Sequence, residues 1–135
     1  MPGFFTDYAN NKVLDLLFGA VNLAPPATIY LGLAQNSANK SGLTTEPSGG
    51  GYSRVAVANT GVNFPAAGTG TKSNATVITF PAPTGDWGVL KSLFVADAAT
   101  GGNVIAMADL SASRAISSGT AAPKVAAGAF FLSHT

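Results

Sequence analysis

Cysteine is absent from this 135-residue chain. That excludes disulfide cross-links and thiolate metal sites, and it leaves the compartment open, because many cytosolic proteins share the trait. Histidine occurs once, as the penultimate residue His134. A Ser-His-Asp triad needs a base fixed by packing, and chain ends fray, so His134 reads as an exposed tail residue. Charge is scarce as well: charged residues make up 10% of the chain, where a quarter is usual. Seven cations and six anions give a net charge of +1 and are scattered singly between Asp7 and Lys124. A nucleic-acid surface needs clustered cations to displace counterions, so no nucleic-acid partner is expected. No apolar run reaches the roughly 18 residues of a membrane span, so no membrane partner is expected either. The start, Met1-Pro2-Gly3-Phe4-Phe5, lacks the basic region of a secretory signal. A soluble product of the cytoplasm is the expectation.

What replaces charge is small and neutral. Hydrophobic residues make up 47% of the chain, and positions outside the candidate core are mostly Ala, Gly, Ser, Thr and Asn. A free monomer normally keeps a charged surface. A small, uncharged one suits close packing against neighbouring subunits, where buried charge would be costly. An alanine-rich genome is the alternative source of the same composition. The assembly reading predicts a homo-oligomer, with a trimer as the first candidate.

The length fits one domain, residues 1–135. Thr6 or Asp7 can cap a helix over about residues 7–18, with Tyr8, Val13, Leu14, Leu17 and Phe18 near one face. Leu14 and Leu17 are expected to be buried, and Gly19 stands where a left-handed C-terminal cap is favoured. After Pro25-Pro26 the period changes to that of strands, at 28–34, 52–58, 75–80, 89–96, 103–110 and 124–132. Residues 97–102 make a hairpin turn with two glycines. Residues 35–51 and 65–74 are polar and glycine-rich and read as loops outside the core, mobile in isolation. Short strands between Gly, Pro and Ser turns indicate a mainly β fold, an antiparallel β-sandwich or barrel-like domain with one N-terminal α-helix.

Nothing in the chain has the spacing of a catalytic, cofactor or metal site. The carboxylates Asp7, Asp15, Glu46, Asp86, Asp97 and Asp109 are far apart in sequence, and Asp86 and Asp97 lie in turns, where Asp commonly bonds its own backbone. The stretch from Gly68 to Ser73 lacks the glycine before lysine that a phosphate loop needs, and it leads into a strand rather than a helix. Gly49-Gly50-Gly51 reads as a turn. Trp87, with Tyr30 and Tyr52, could form a sugar-stacking platform, but a Trp beside the Gly85-Asp86 turn fits better as a plug at the end of the core. The candidate partner contacts are Phe4, Phe5, Tyr52 and Trp87.

Several stretches, in order, resemble a family of small virion proteins of tailed bacteriophages, often labelled tail-fibre or minor structural proteins. They are Thr6-Asp7-Tyr8-Ala9-Asn10-Asn11-Lys12-Val13-Leu14-Asp15, Pro26-Ala27-Thr28-Ile29-Tyr30-Leu31-Gly32-Leu33 and Glu46-Pro47-Ser48-Gly49-Gly50-Gly51-Tyr52-Ser53-Arg54-Val55-Ala56-Val57. Phe80-Pro81-Ala82-Pro83-Thr84-Gly85-Asp86-Trp87-Gly88 and Asp97-Ala98-Ala99-Thr100-Gly101-Gly102-Asn103 complete the set. The strand at 91–96 carries less glycine than the resemblance would give. The resemblance implies a non-enzymatic, cofactor-free component of the virion whose partners are other virion proteins, major capsid or tail subunits. A capsid-decoration (cement) subunit is the first expectation, a tail-associated subunit the second, and a host-glycan-binding module the alternative from another class.

Overall fold

The computed structural model describes residues 1–133. His134 lies outside them. Nine strands and one helix follow in the order β1 (Pro2–Phe5), α1 (Asp7–Leu17), β2 (Thr28–Ala34), β3 (Val55–Ala58), β4 (Thr71–Ser73), β5 (Ile78–Thr79), β6 (Gly88–Ala96), β7 (Val104–Ile116), β8 (Lys124–Val125) and β9 (Phe131–Ser133). Seven strands form one sheet in the order β3-β2-β6-β7-β1-β9-β4, curled into a half-barrel, and β5 pairs with β8 in a small second ribbon. The pairings are antiparallel except β1 with β9, which is parallel.

The centre of the sheet is buried on both faces, which is why Leu93 to Ala96 of β6 read as an apolar run rather than an alternation. Leu31, Leu33, Leu93, Val95, Ala106 and Ala108 point into the main core, which the β5–β8 ribbon closes with Ile78, Phe80 and Val125. The other face holds Ala34, Phe94, Ala96 and Met107, covered by Phe4, Ala38 and Val104. Gly32 stands opposite Phe94 across the β2–β6 ladder. A Cβ there would overlap the Phe94 ring, so the glycine makes room for an aromatic on a crowded face. Where β6 meets the far half of β7 the register jumps from Ser92↔Asp109 to Leu90↔Arg114, so Lys91 alone stands opposite residues 110–113. A bulge of that kind bends a strand, as the curl requires.

The loop at 35–51 is not a free appendage. Ala38 covers the second face, Pro47 is buried, and Asn36 and Asn39 fold the loop on itself through bonds with Leu43 and Thr45. Ser92 Oγ donates to the Asn36 carbonyl (2.7 Å), and Asp109 accepts from the Ala38 N–H (2.8 Å). In the segment at 65–74, residues 65–70 are exposed and outside any strand, but residues 71–74 are tied to the sheet. Thr71–Ser73 is an edge strand, and the buried Asn74 side chain bridges Phe130 N–H and the Thr76 and Ala126 carbonyls.

The helix begins as its sequence dictates. Thr6 Oγ1 accepts from the Ala9 N–H and donates to the Val104 carbonyl on β7, so one hydroxyl caps the helix and ties it to the sheet. Asp7 in the first turn suits the positive end of the helix. At the other end the chain turns through Gly19 and Ala20, both at positive φ. The expected burial of Leu14 and Leu17 is overturned: they are 55% and 67% exposed. The Thr6 tether fixes the helix rotation so that Ala9, with the half-buried Val13, faces the sheet. Leu14 and Phe18 stand one position round the helix from the Ala9–Val13–Leu17 line, and Leu17, on that line, lies a full turn beyond Val13; all three are exposed. Leu17→Ala in the dilute, unassembled chain is therefore expected to change the unfolding free energy by no more than about 0.5 kcal/mol, measured by urea denaturation.

Candidate interaction surface

Two of the four expected contact residues belong to a buried network. Trp87 is 1% exposed, and its Nε1 donates to the Gly50 carbonyl (2.8 Å). Tyr52 meets the indole edge-on with ring centroids 5.3 Å apart. The tryptophan thus fills the core as a plug, and no ring face is left for a sugar. Its carbonyl partner comes from the tight turn at Gly49-Gly50-Gly51, all three at positive φ, where a Cβ on Gly50 would lie 2.9 Å from the Gly85 backbone. Gly50 is required by the close approach of two turns, and all three glycines by their positive φ.

The Tyr52 hydroxyl accepts from the Leu33 N–H (3.0 Å) and donates to Glu46 Oε2 (2.8 Å). Arg54 clamps the same carboxylate through Nε and Nη2, and its Nη1 donates to the carbonyls of Ala98 (2.6 Å) and Gly101 (2.9 Å) in the β6–β7 hairpin. Its guanidinium lies 5.0 Å from the centre of the Phe94 ring. Among the described residues no buried side-chain nitrogen or oxygen lacks a partner. The cluster's hydrogen bonds join the glycine turn, the 35–51 loop, β2 and the β6–β7 hairpin within the fold.

Burial pushes the Tyr52 phenol well above the usual tyrosine range, and the Glu46 carboxylate reinforces it; the Leu33 N–H and Arg54 oppose. The folded state therefore holds Tyr52 neutral, whereas in the unfolded chain it ionises near pH ~10. The stabilisation is complete below that pH and is lost as pH rises above it. Between pH 8 and 11 the wild type is expected to lose about 1 kcal/mol more stability than Tyr52→Phe, read from urea midpoints at each pH.

Phe4 and Phe5 lie on β1 and are half-buried. The Lys40 ammonium sits 4.7 Å from the Phe4 ring centre and donates to the Phe5 carbonyl. Phe5 packs against the main core. The two aromatics are intrachain packing with one edge at the surface. The carboxylates do not converge: Asp97 accepts from Asn103 N–H and Nδ2, Asp109 from Ala38, and Glu46 is held by Arg54. No group of three His, Cys, Asp or Glu among the described residues could hold a metal ion. Residues 68–73 enter β4, not a helix.

The surface feature that sequence reasoning missed is the arm formed by the end of α1 and the chain beyond it. Leu14, Leu16, Leu17, Phe18, Val21 and Leu23 are all exposed, Phe18 at 77%. Asp15 is the sole charged residue between Lys12 and Lys40. The signal was in the sequence: apart from Asp15, every residue from Val13 to Phe18 is apolar, a wider apolar face than one contact with the sheet can bury. Beside the arm, between α1 and the sheet, runs an apolar groove of about 510 Å³ with Phe5, Val13, Ile29, Phe64, Phe130 and Leu132 in its wall.

No helix among the described residues is long and apolar enough to cross a membrane. No curated protein matches the chain. A family model, that of the podophage GP4 fiber I protein gp80, matches residues 4–133. With nearly its whole length matched, from the strand ahead of the helix to the last described strand, the chain belongs to the podophage GP4 fiber I protein gp80 family and is a phage virion structural protein of the fibre type.

Proposed function

We propose that this protein is a non-enzymatic, tail-associated fibre subunit of a podophage particle, held in place by apolar contact with its neighbours. The observation that carries the reading is the exposed arm at residues 14–23. A patch of that size on a chain with so few charges is what a subunit buries on assembly, and a free monomer would leave it as an aggregation hazard. The family's own name, a fiber I protein, favours the tail over the capsid-decoration role that was the first expectation from the sequence. Neighbouring virion proteins are the partners this surface fits, and neither a cofactor nor a substrate enters the account. A host glycan is a weaker fit, because the lone tryptophan is in the core.

Labelling the protein in assembled particles and imaging them tests the reading. Density at the tail, lost when Leu17→Glu and Phe18→Ser are combined, is the expected result. Density spread over the capsid lattice would replace the tail with a decoration role, and absence from particles would end the structural reading altogether.

A further inference from the structure

The arm and the groove beside it have the properties of two halves of one contact. The geometry points to a head-to-tail interface in which the arm of one copy seats in the groove of a second copy of this chain. This rests on the assembled-subunit reading above and names the partner.

Size comes first. Apart from Leu23, which also lines the groove, the arm's exposed apolar side chains (Leu14, Leu16, Leu17, Phe18 and Val21) hold roughly 500 Å² of surface, more than half of the ~800 Å² that one partner brings to a standard interface. The adjoining groove, at about 510 Å³, has room for several large side chains. The arm cannot occupy its own groove. Tyr8, Ala9, Lys12 and Val13 form the helical wall and Leu23, Ala24 and Pro25 the next wall, while Leu14 and Phe18 leave the helix on the side away from it and Leu17, a turn beyond Val13, is exposed and does not line it. A projection and a hollow that differ in place on one molecule can meet only between copies.

Charge points the same way. The arm carries one charge, Asp15; the groove carries Lys12, Lys72 and Asp97. Asp97 accepts only from the neutral Asn103 and keeps its charge, so the groove presents a net charge of +1 to an anionic arm. Because arm and groove are different surfaces, the contact is heterologous and closes into a ring when the rotation between copies permits. A threefold ring agrees with the trimer that composition suggested.

Sedimentation equilibrium on the purified full chain tests this. The wild type is expected to run as a closed oligomer. Leu17→Glu with Phe18→Ser, which spoils the arm, and Ala24→Trp, which fills the groove from an exposed position, are each expected to give folded monomers by circular dichroism. Mixed, those two variants should form a one-to-one dimer and stop there, since only one intact arm and one intact groove remain. Asp15→Lys should weaken assembly roughly tenfold, with recovery when Lys72→Glu is added. A wild type that stays monomeric at its highest soluble concentration overturns the inference, as does a mixture that stays monomeric. A photo-crosslinking residue in place of Leu17 should join two copies of this chain within the particle; capture of a different virion protein there refutes the second copy as occupant. Absence of the protein from the particle is a separate result, which sinks the fibre-subunit reading and not the self-association.

Discussion

Trp87→Ala is expected to lower the unfolding free energy by ~3–5 kcal/mol, the range for deleting a fully buried large aromatic. The indole is 1% exposed, meets Tyr52 edge-on, and donates to the Gly50 carbonyl. Alanine would leave a cavity where three segments converge: the glycine turn, the start of β6 and the strand entering β3. The Gly50 carbonyl keeps its bond from the Thr84 N–H, so the loss is mainly of packing rather than of an unpaired acceptor. Trp87→Phe should cost clearly less, because it retains most of the volume and gives up one hydrogen bond, about 1 kcal/mol. Urea denaturation of both variants measures the difference. A loss below about 1 kcal/mol for Trp87→Ala would mean that the turn collapses onto the vacated space and that the plug is dispensable. Loss of binding in Trp87→Ala would not identify a recognition residue, since the same substitution undermines the core.

Local signals in the sequence reached the central hairpin, because its determinants are local. The two glycines at 101–102 turn the chain between β6 and β7, both take positive φ, and Asp97 bonds back to Asn103 as an Asp in a turn is expected to do. The helix start was equally legible in Thr6 and Asp7. What could not be read was long-range. Strand β1 is four residues with a proline and a glycine, and it exists because β7 and β9 pair with it on either side. Strand β4 lies in a run of Gly and Thr and pairs with β9. The last stretch, expected as one strand over 124–132, divides into β8 and β9 because Asn74, more than fifty residues away, pins the turn between them. In each case the partner, not the segment's own propensity, decides the state.

The helix failed for a related reason. Of the expected inward face, Val13 is half-buried beside Ala9, but Leu14 and Phe18 lie to the side of that line and Leu17 lies a turn beyond Val13, and all three are exposed. Periodicity states that a helix has an apolar face; it does not state whether that face is buried by the same chain. The pairing of low charge with an outward apolar arm links composition to function, since both are features of a surface that is not meant to stay wet.

Arg54→Met is expected to destabilise the fold by ~3–5 kcal/mol, the cost of breaking a buried ion pair by removing one partner. The arginine side chain is 4% exposed and its partner Glu46 25% exposed. Its loss leaves three acceptors without their donor: the Glu46 carboxylate and the Ala98 and Gly101 carbonyls. The carbonyls are near the surface and can take water, while the carboxylate keeps only the Tyr52 hydroxyl. Most of the penalty therefore falls on Glu46. It follows that Glu46→Gln in the Arg54→Met background should restore part of the lost stability, although Glu46→Gln alone is destabilising. That change of sign is the signature of a charge tolerated only because it is paired. Lysine should not substitute, because one ammonium cannot grip a carboxylate at two points and reach two hairpin carbonyls together. The loop at 35–51 and the hairpin at 97–102 are joined through this one guanidinium, so hydrogen exchange in Arg54→Met should quicken in both segments before it does in β6. If Arg54→Met costs less than about 1 kcal/mol, or if Glu46→Gln worsens the double variant, the pair is not what holds the loop to the hairpin.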